Sequence, residues 1–267
     1  MQQMDRSRAQ PLPSPFDATC FIGKGALSEA ECLGLIARIE QPLKIDTTAS
    51  SDADNVLRVV ERTSLQDEEL ASFLFDRVSP FCPSAWTVSS EDEHLGPFSK
   101  GSWRIDSVDA RIQLYRYHAP EGLFGRHRDK PTLHSLHKRS LFTVLVYLNN
   151  DYKEGQTVVY SEGEDEEEKY CKVPNDGVGD CFVMLQRMLH EGSRVEEGTK
   201  YALRCDVLYR REDEKGVEDV GEGEEDEKER AKKWFRLASC LELSGKIEES
   251  VGYYRKAYKL DPDLVAE

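Results

Sequence analysis

His127-Arg128-Asp129 puts an imidazole and a carboxylate two positions apart. On an extended segment such side chains project to one face, so one metal ion could take both. His190 follows the apolar stretch CFVML (181–185) and opens the run HEGSRVEEGTKYALRCD. Two histidines and one carboxylate, in the order H-x-D…H, leave open positions on a metal. That ligand set selects ferrous iron for oxygen chemistry over structural zinc. Each feature taken singly has a plainer reading: a chance triplet or simple ion pair, and a surface or core histidine at a strand end. A rival cluster, His134-x-x-His137, lies between basic residues and reads as a loop. The triplet also spells the kinase H-R-D, but His134 stands where the kinase Asn is required, and there is neither D-F-G nor a Gly-rich loop.

A third feature is the segment from Lys200 to Val207. Lys200, Ala202, Arg204 and Asp206 share one face of a strand, and Tyr201, Leu203, Cys205 and Val207 share the other. Two cations and an acid on one face are costly in a dry core. The face is therefore either an exposed strand edge or the wall of a polar cavity that holds a carboxylate.

The elements that must position these residues are legible as patterns. Ser28 with Glu31 forms a capping box ahead of Leu35, Ile36 and Ile39, which predicts a helix. Ser64-x-x-Asp67 offers a second helix start before Leu70, Phe73, Leu74 and Val78, with Pro80 and Pro83 as stops. From about residue 110 the pattern turns to β. Segments 111–117, 140–149, 156–160, 170–173, 180–185 and 200–209 are rich in β-branched and aromatic residues between turn formers. Short strands without intervening helices argue for an antiparallel sandwich or jelly roll.

The 267 residues carry a formal charge of −15, concentrated in two acidic tracts, 161–170 (net −5) and 211–230 (net −7). These read as a solvated loop insertion and a linker. The remainder is nearly neutral, so a nucleic-acid partner is disfavoured. No apolar run approaches the roughly 18 residues of a membrane span. The start, MQQMDRSRAQPLPSP, reads as a flexible tail without a signal-peptide core. Seven cysteines at irregular spacing, without a CxxC pair, point to an intracellular, reduced setting, cytoplasmic or nuclear. Residues 231–264 look like one tetratricopeptide (TPR) motif, carried by Trp234, Leu237, Ala238, Gly245, Tyr254, Ala257 and Pro262. One such helix pair cannot bury its own apolar face, so it must dock on the main domain, on another chain, or within a longer array.

With these pieces in order, the sequence resembles the 2-oxoglutarate- and iron(II)-dependent dioxygenases, closest to the prolyl 4-hydroxylase-like branch. The resemblance runs from about Phe21 to Tyr209. It is carried by FIGKGALSEAECLGLI (21–36), Y-R-Y before F-x-x-H-x-D (Phe124–Asp129), and SLFTVLVYLN (140–149). G-x-T (Gly155–Thr157), V-P (Val173-Pro174), G-D-C-F (Gly179–Phe182) and H-E-G-x-x-V-x-x-G-x-K-Y (His190–Tyr201) complete it. Glu154 and Arg194 depart from the family pattern, at positions away from the ligands.

The resemblance implies that His127, Asp129 and His190 are the ligands of Fe2+. Lys200, ten residues after His190, stands where prolyl 4-hydroxylases place the lysine that pairs with the distal carboxylate of 2-oxoglutarate. Tyr147 stands where relatives hydrogen-bond that carboxylate, and Tyr117 where an aromatic lines the pocket. Arg204 competes for the anchoring role, because other branches use an arginine further along this strand and a guanidinium grips a carboxylate with two bonds.

The expected architecture is mainly β with flanking helices: a double-stranded β-helix (jelly roll) core plus a C-terminal α-helical hairpin. Its expected parts are a flexible tail 1–18, a helical or α+β flank 19–108, the core 109–211, an acidic linker 212–230 and a TPR-like pair 231–267. The expected reaction is hydroxylation of a substrate, with a prolyl residue of a protein as the leading candidate. Fe2+, 2-oxoglutarate and O2 are required, ascorbate is a candidate reductant, and 2-oxoglutarate is decarboxylated to succinate. Alternatives are a dioxygenase acting on a small molecule or another side chain, and a non-catalytic jelly-roll/TPR adaptor. The helix pair is the candidate surface for a protein partner.

Overall fold

The computed structural model describes residues 9–40, 57–89, 95, 99–135, 137–161, 169–174, 177–212, 227–243 and 246–264. The acidic segments 162–168 and 213–226, and Gly245, lie outside the described residues.

The N-terminal part runs β1 (Ala9–Pro11), β2 (Cys20–Gly23), α1 (Glu29–Glu40), β3 (Arg58–Val59), β4 (Glu61–Gln66) and α2 (Glu68–Val78). A short 3-10 turn at Ser79–Phe81 leads into β5 (Ala85–Val88) and β6 (Gly101–Val108). The core continues with β7 (Arg111–His118), β8 (Leu123–His127), β9 (Leu133–Ser135), β10 (Lys138–Tyr147), β11 (Lys153–Glu154) and β12 (Thr157–Tyr160). It closes with β13 (Tyr170–Lys172), β14 (Cys181–Leu185), β15 (His190–Gly192), β16 (Val195–Glu197) and β17 (Thr199–Arg211). Two helices follow, α3 (Glu227–Leu243) and α4 (Ile247–Leu260).

The larger sheet has the order β1-β2-β14-β10-β17. There the long last strand forks: Thr199–Arg204 pairs with β7, and Val207–Arg211 pairs with β6. The smaller sheet is β13-β12-β15-β8-β3. All pairings are antiparallel, and this is the expected jelly roll with its C-terminal helix pair.

Period-2 alternation explains the layering. Val144 and Val146 of β10, with Leu203, Cys205 and Val207 of β17, pack in one buried cluster with Leu35 of α1 and Leu74 and Val78 of α2. Each such fully buried apolar side chain contributes about 1.5–3 kcal/mol. Tyr147 of β10 faces the smaller sheet, where it packs with Phe182 and Met184 of β14 and Val159 of β12. The G-D-C-F motif sits at the turn into β14. Gly179 takes φ +78°, and a Cβ there would lie 1.9 Å from the Leu27 carbonyl oxygen, so only glycine fits. Asp180 then accepts hydrogen bonds from Lys24 Nζ (2.8 Å) and the Gly25 N–H (2.9 Å).

The capping box of α1 is present: Glu31 N–H donates to Ser28 Oγ at 3.3 Å, and Ser28 N–H to the Glu31 carboxylate at 2.8 Å. The second helix start is displaced. Asp67, not Ser64, caps α2, accepting the Leu70 N–H at 2.9 Å, because Ser64 is paired within β4 against Gln113. The expected tail is also shorter than 1–18: Ala9–Pro11 pairs with β2, and Leu12 and Phe16 are buried. The flank 19–108 contains helices and strands, and its strands β4, β5 and β6 join the larger sheet. Helix α3 begins at Glu227, inside the expected linker.

Phe235 stacks edge-on against Tyr254 (5.2 Å), and Ser239 Oγ lies 3.1 Å from the Tyr254 hydroxyl. Buried Ala231, Ala238 and Ala257 let α3 and α4 approach closely. Helix α3 lies against β9. No described helix is long and apolar enough to cross a membrane.

Candidate active site

His127 ends β8 and stands directly opposite His190 at the start of β15. The register slips between His190 and Gly192, and such a bulge re-aims side chains at a strand end. The two imidazole centroids are 4.2 Å apart. Asp129, two residues beyond the strand, brings Oδ1 to 3.6 Å from His127 Nε2 and Oδ2 to 3.7 Å from His190 Nε2. Among the described residues these three form a group able to share one ion, with ligand atoms all within 4.8 Å of one another.

The tautomers suit a metal. His127 Nδ1 lies 2.9 Å from the Gly125 carbonyl oxygen, and His190 Nδ1 lies 2.9 Å from that of Met188. A carbonyl only accepts, so each Nδ1 carries the proton and each Nε2 presents its lone pair toward Asp129. Phe124 stacks flat on His127, with centroids 3.6 Å apart, and fixes the ring plane. Burial, then the neighbouring His127, pushes His190 down to about 4 and keeps the ring neutral. Burial alone would raise the Asp129 carboxyl, but Arg204 and the two histidines overcome it and hold the group well below the usual carboxylate range. Two imidazoles and one carboxylate, with space beside them, fit Fe2+.

The recess beside the triad has a cavity volume of about 30 Å3, and its walls include Tyr117, Tyr147, Lys200 and Arg204. The expected polar face of β17 is therefore a cavity wall and not an exposed edge. Lys200 is 3% exposed; its Nζ donates to the Gly155 carbonyl at 2.7 Å and lies 5.1 and 5.4 Å from the ring centres of Tyr117 and Tyr147. Among the described residues no carboxylate pairs with it, and burial pushes it down to about 7. Gly155 holds φ +74° with Val195 packed where a Cβ would project, which keeps its carbonyl turned to Lys200. The Tyr147 hydroxyl donates to Thr157 Oγ1 at 2.9 Å, and burial raises the phenols of both Tyr147 and Tyr117.

Arg204 is placed differently. Its Nε donates to Asp129 Oδ2 (3.0 Å), Nη2 to Asp206 Oδ1 (2.9 Å) and Nη1 to Gln113 Oε1 (3.2 Å). All three nitrogens thus have acceptors in place.

The rival pair His134 and His137 does not join the site. His134 lies in β9, a strand where a loop was expected, and its Nε2 meets Asp109 at 2.6 Å. Sequence reasoning missed Tyr115, Phe124, Thr157 and Gln113. Signals existed for three of them: Tyr115 shares the period of Tyr117, Phe124 sits in F-x-x-H, and Thr157 closes G-x-T. Gln113 enters through its bonds from Arg204 and Tyr115.

The jelly roll thus carries two histidines and one carboxylate at its mouth, beside a buried lysine that no described carboxylate pairs with. Residues 112–205 match the family model described as the 2OG-Fe(II) oxygenase superfamily. The superfamily implies Fe2+, 2-oxoglutarate and O2. Similar solved structures include the viral collagen prolyl hydroxylase of Paramecium Bursaria Chlorella virus-1 in its 2OG complex. That likeness has 18% identity, covers 72% of this chain and 96% of that one, and has a TM-score of 0.41. A prolyl hydroxylase from Trichoplax adhaerens, in complex with a hypoxia inducible factor peptide fragment, shows 17% identity, coverage of 71% and 83%, and a TM-score of 0.48. A Pseudomonas putida prolyl-4-hydroxylase shows 15% identity, coverage of 73% and 93%, and a TM-score of 0.43. A comparison with curated proteins gives no match.

Proposed function

We propose that the protein is an Fe(II)- and 2-oxoglutarate-dependent dioxygenase that hydroxylates its substrate, with a prolyl residue of a protein as the substrate group. The observation that carries the reading is the convergence of His127, Asp129 and His190 in the recess that also buries Lys200. The three ligand residues would hold Fe2+, and Lys200 would take the distal carboxylate of 2-oxoglutarate. Tyr147 supports that end of the pocket through its hydroxyl, and Tyr117 forms an aromatic wall. With iron bound, the centre supplies O2-dependent oxidation that couples decarboxylation of 2-oxoglutarate to hydroxylation of a second substrate. The protein's own residues orient the cosubstrate and exclude water.

The prolyl assignment rests on the sequence around Lys200, a lysine ten residues after the second histidine within G-x-K-Y. Ascorbate is proposed as reductant, to be checked by its effect on sustained turnover. The helix pair is proposed as a TPR-like partner surface, supported by Ile247, Val251 and Tyr258, which are exposed on α4. An intracellular location is proposed on the six described cysteines, all free thiols.

The test is succinate formation from 2-oxoglutarate by the purified full chain, with and without Fe2+. Iron-dependent succinate, lost in Asp129→Ala, supports the reading; iron-independent or absent conversion overturns it. Peptide pools analysed by mass spectrometry should gain one oxygen on proline; gain on another residue would move the substrate class.

A further inference from the structure

Arg204 projects from the middle of β17 into the recess and ties together three separate strand segments. It reaches Asp129 beyond β8, Gln113 on β7 and Asp206 on its own strand. Gln113 Oε1 also receives the Tyr115 hydroxyl, so its carbonyl is held from both sides. Asp206 is 3% exposed and divides its two oxygens. Oδ1 takes Arg204, and Oδ2 accepts the Thr132 hydroxyl at 2.9 Å. Thr132 lies three residues after Asp129, and the Gln186 amide donates to the intervening Lys130 carbonyl at 3.2 Å. One buried carboxylate thus fixes Asp129 from two directions: its side chain through Arg204 and its following backbone through Thr132.

The ion-pair geometry points the same way. Arg204 lies between the carboxylates of Asp129 and Asp206, with Nε 3.0 Å from Asp129 Oδ2 and Nη2 2.9 Å from Asp206 Oδ1. Arg204 holds Asp129 Oδ2, while Oδ1 faces His127 Nε2 at 3.6 Å. A guanidinium presents its donors in a planar fork, and an ammonium cannot reproduce that double hold.

We propose that Arg204, oriented by Asp206, is the positioning residue of the metal ligand Asp129 and sets metal affinity without anchoring 2-oxoglutarate. The assignment rests on the iron-site reading and adds a division of labour to it. Arg204 and Asp206 act on the metal through Asp129, whereas Lys200 acts on the cosubstrate.

The experiment uses Co2+, an oxygen-inert stand-in, with the full-length protein under calorimetry. Co2+ affinity is measured first, then 2-oxoglutarate affinity at saturating Co2+. Removing a partner that orients a metal ligand costs roughly 10–100-fold in metal affinity, and that loss is expected for Arg204→Gln. Its 2-oxoglutarate affinity at saturating Co2+ should stay at the wild-type level. Arg204→Lys, which keeps the charge and loses the fork, should fail to restore Co2+ affinity. Asp206→Asn should weaken Co2+ binding in the same direction, and the double variant should lose no more than Arg204→Gln alone, because Asp206 works through Arg204. Should Arg204→Gln fail to fold, the isosteric Asp206→Asn carries the test. Wild-type Co2+ affinity in these variants overturns the proposal, and loss of 2-oxoglutarate binding instead makes Arg204 the anchor. If the wild-type protein itself binds no Co2+, the iron-site reading falls, a result distinct from failure of the positioning role alone.

Discussion

Lys200 and Arg204 stand on the same face of β17, about 13–14 Å apart along the strand at ~3.3 Å per residue. The two ends of that face are built differently. Around Arg204 every acceptor is present: Asp129, Asp206 and Gln113. Burial would lower the guanidinium, but the two carboxylates more than offset it and raise it above its ordinary value. Around Lys200 the surroundings are a carbonyl and two aromatic rings, and burial alone acts. A buried cation with its acids in place belongs to the architecture of the site. A buried cation whose only described polar partner is a carbonyl is costly unless a charge joins it, which fits the proposed role of Lys200 as the seat of an incoming anion.

The largest expected effect falls on Asp129, the carboxylate that Arg204 holds. Asp129→Ala should abolish succinate formation while circular dichroism still reports the β fold; retained turnover would remove the carboxylate from the site. Next in size is the cosubstrate seat. A charge-assisted hydrogen bond is worth roughly 1.5–3 kcal/mol, so Lys200→Met should raise the apparent KM for 2-oxoglutarate about 10- to 100-fold. A smaller effect than that of Arg204→Gln on the same constant would reverse the two roles.

The depressed Lys200 gives two pH effects of known sign. Below about 7 the amine is charged in both folded and unfolded protein, so the burial penalty is fully present. Between about 7 and the ordinary 10.5 the folded amine is neutral and the penalty fades. Lys200→Met should therefore stabilise the ligand-free protein most at pH values below about 7, with the gain in Tm shrinking toward 10.5. Binding a dianion favours the charged amine, so 2-oxoglutarate affinity should weaken as pH rises past about 7. A flat profile in both measurements would contradict the unpaired, desolvated amine. Smaller still, Tyr147→Phe deletes one neutral hydrogen bond of about 0.5–1.5 kcal/mol and should weaken 2-oxoglutarate by roughly 2- to 10-fold.

The smallest expected effect on catalysis concerns the C-terminal helix pair. Its own core is made of small residues and aromatic edges, and among the described residues it contributes no side chain to the recess. Deleting residues 213–267 should leave 2-oxoglutarate turnover intact and lower Tm, since α3 lies against β9. Unchanged Tm would mean that this contact adds no stability.

Much of this was legible because β17 is long and its residues alternate between two faces. Lys200 to Val207 could be sorted into two faces from period alone, and the structure keeps that sorting. The H-x-D…H order likewise survives, because its residues sit at the paired ends of two strands. The strands themselves were harder to see. β8 and β15 are short, contain Gly125 and Gly192, and are polar in part, so their pairing comes from tertiary register and not from local propensity. Ser64 and Asp67 are both good caps, and only the pairing of β4 with β7 decides between them. Asp206 could be placed beside Arg204 by alternation, whereas Asp129, 75 positions earlier, enters only through the closure of the jelly roll.

The most direct test is a crystal structure with Mn2+ and 2-oxoglutarate. The account predicts anomalous scattering from one ion among His127, Asp129 and His190, and the distal carboxylate of 2-oxoglutarate about 2.7–2.9 Å from Lys200 Nζ. Arg204 should still be bonded to Asp129 and Asp206. An ion elsewhere, or the distal carboxylate seated on an Arg204 that has released Asp129, would contradict it.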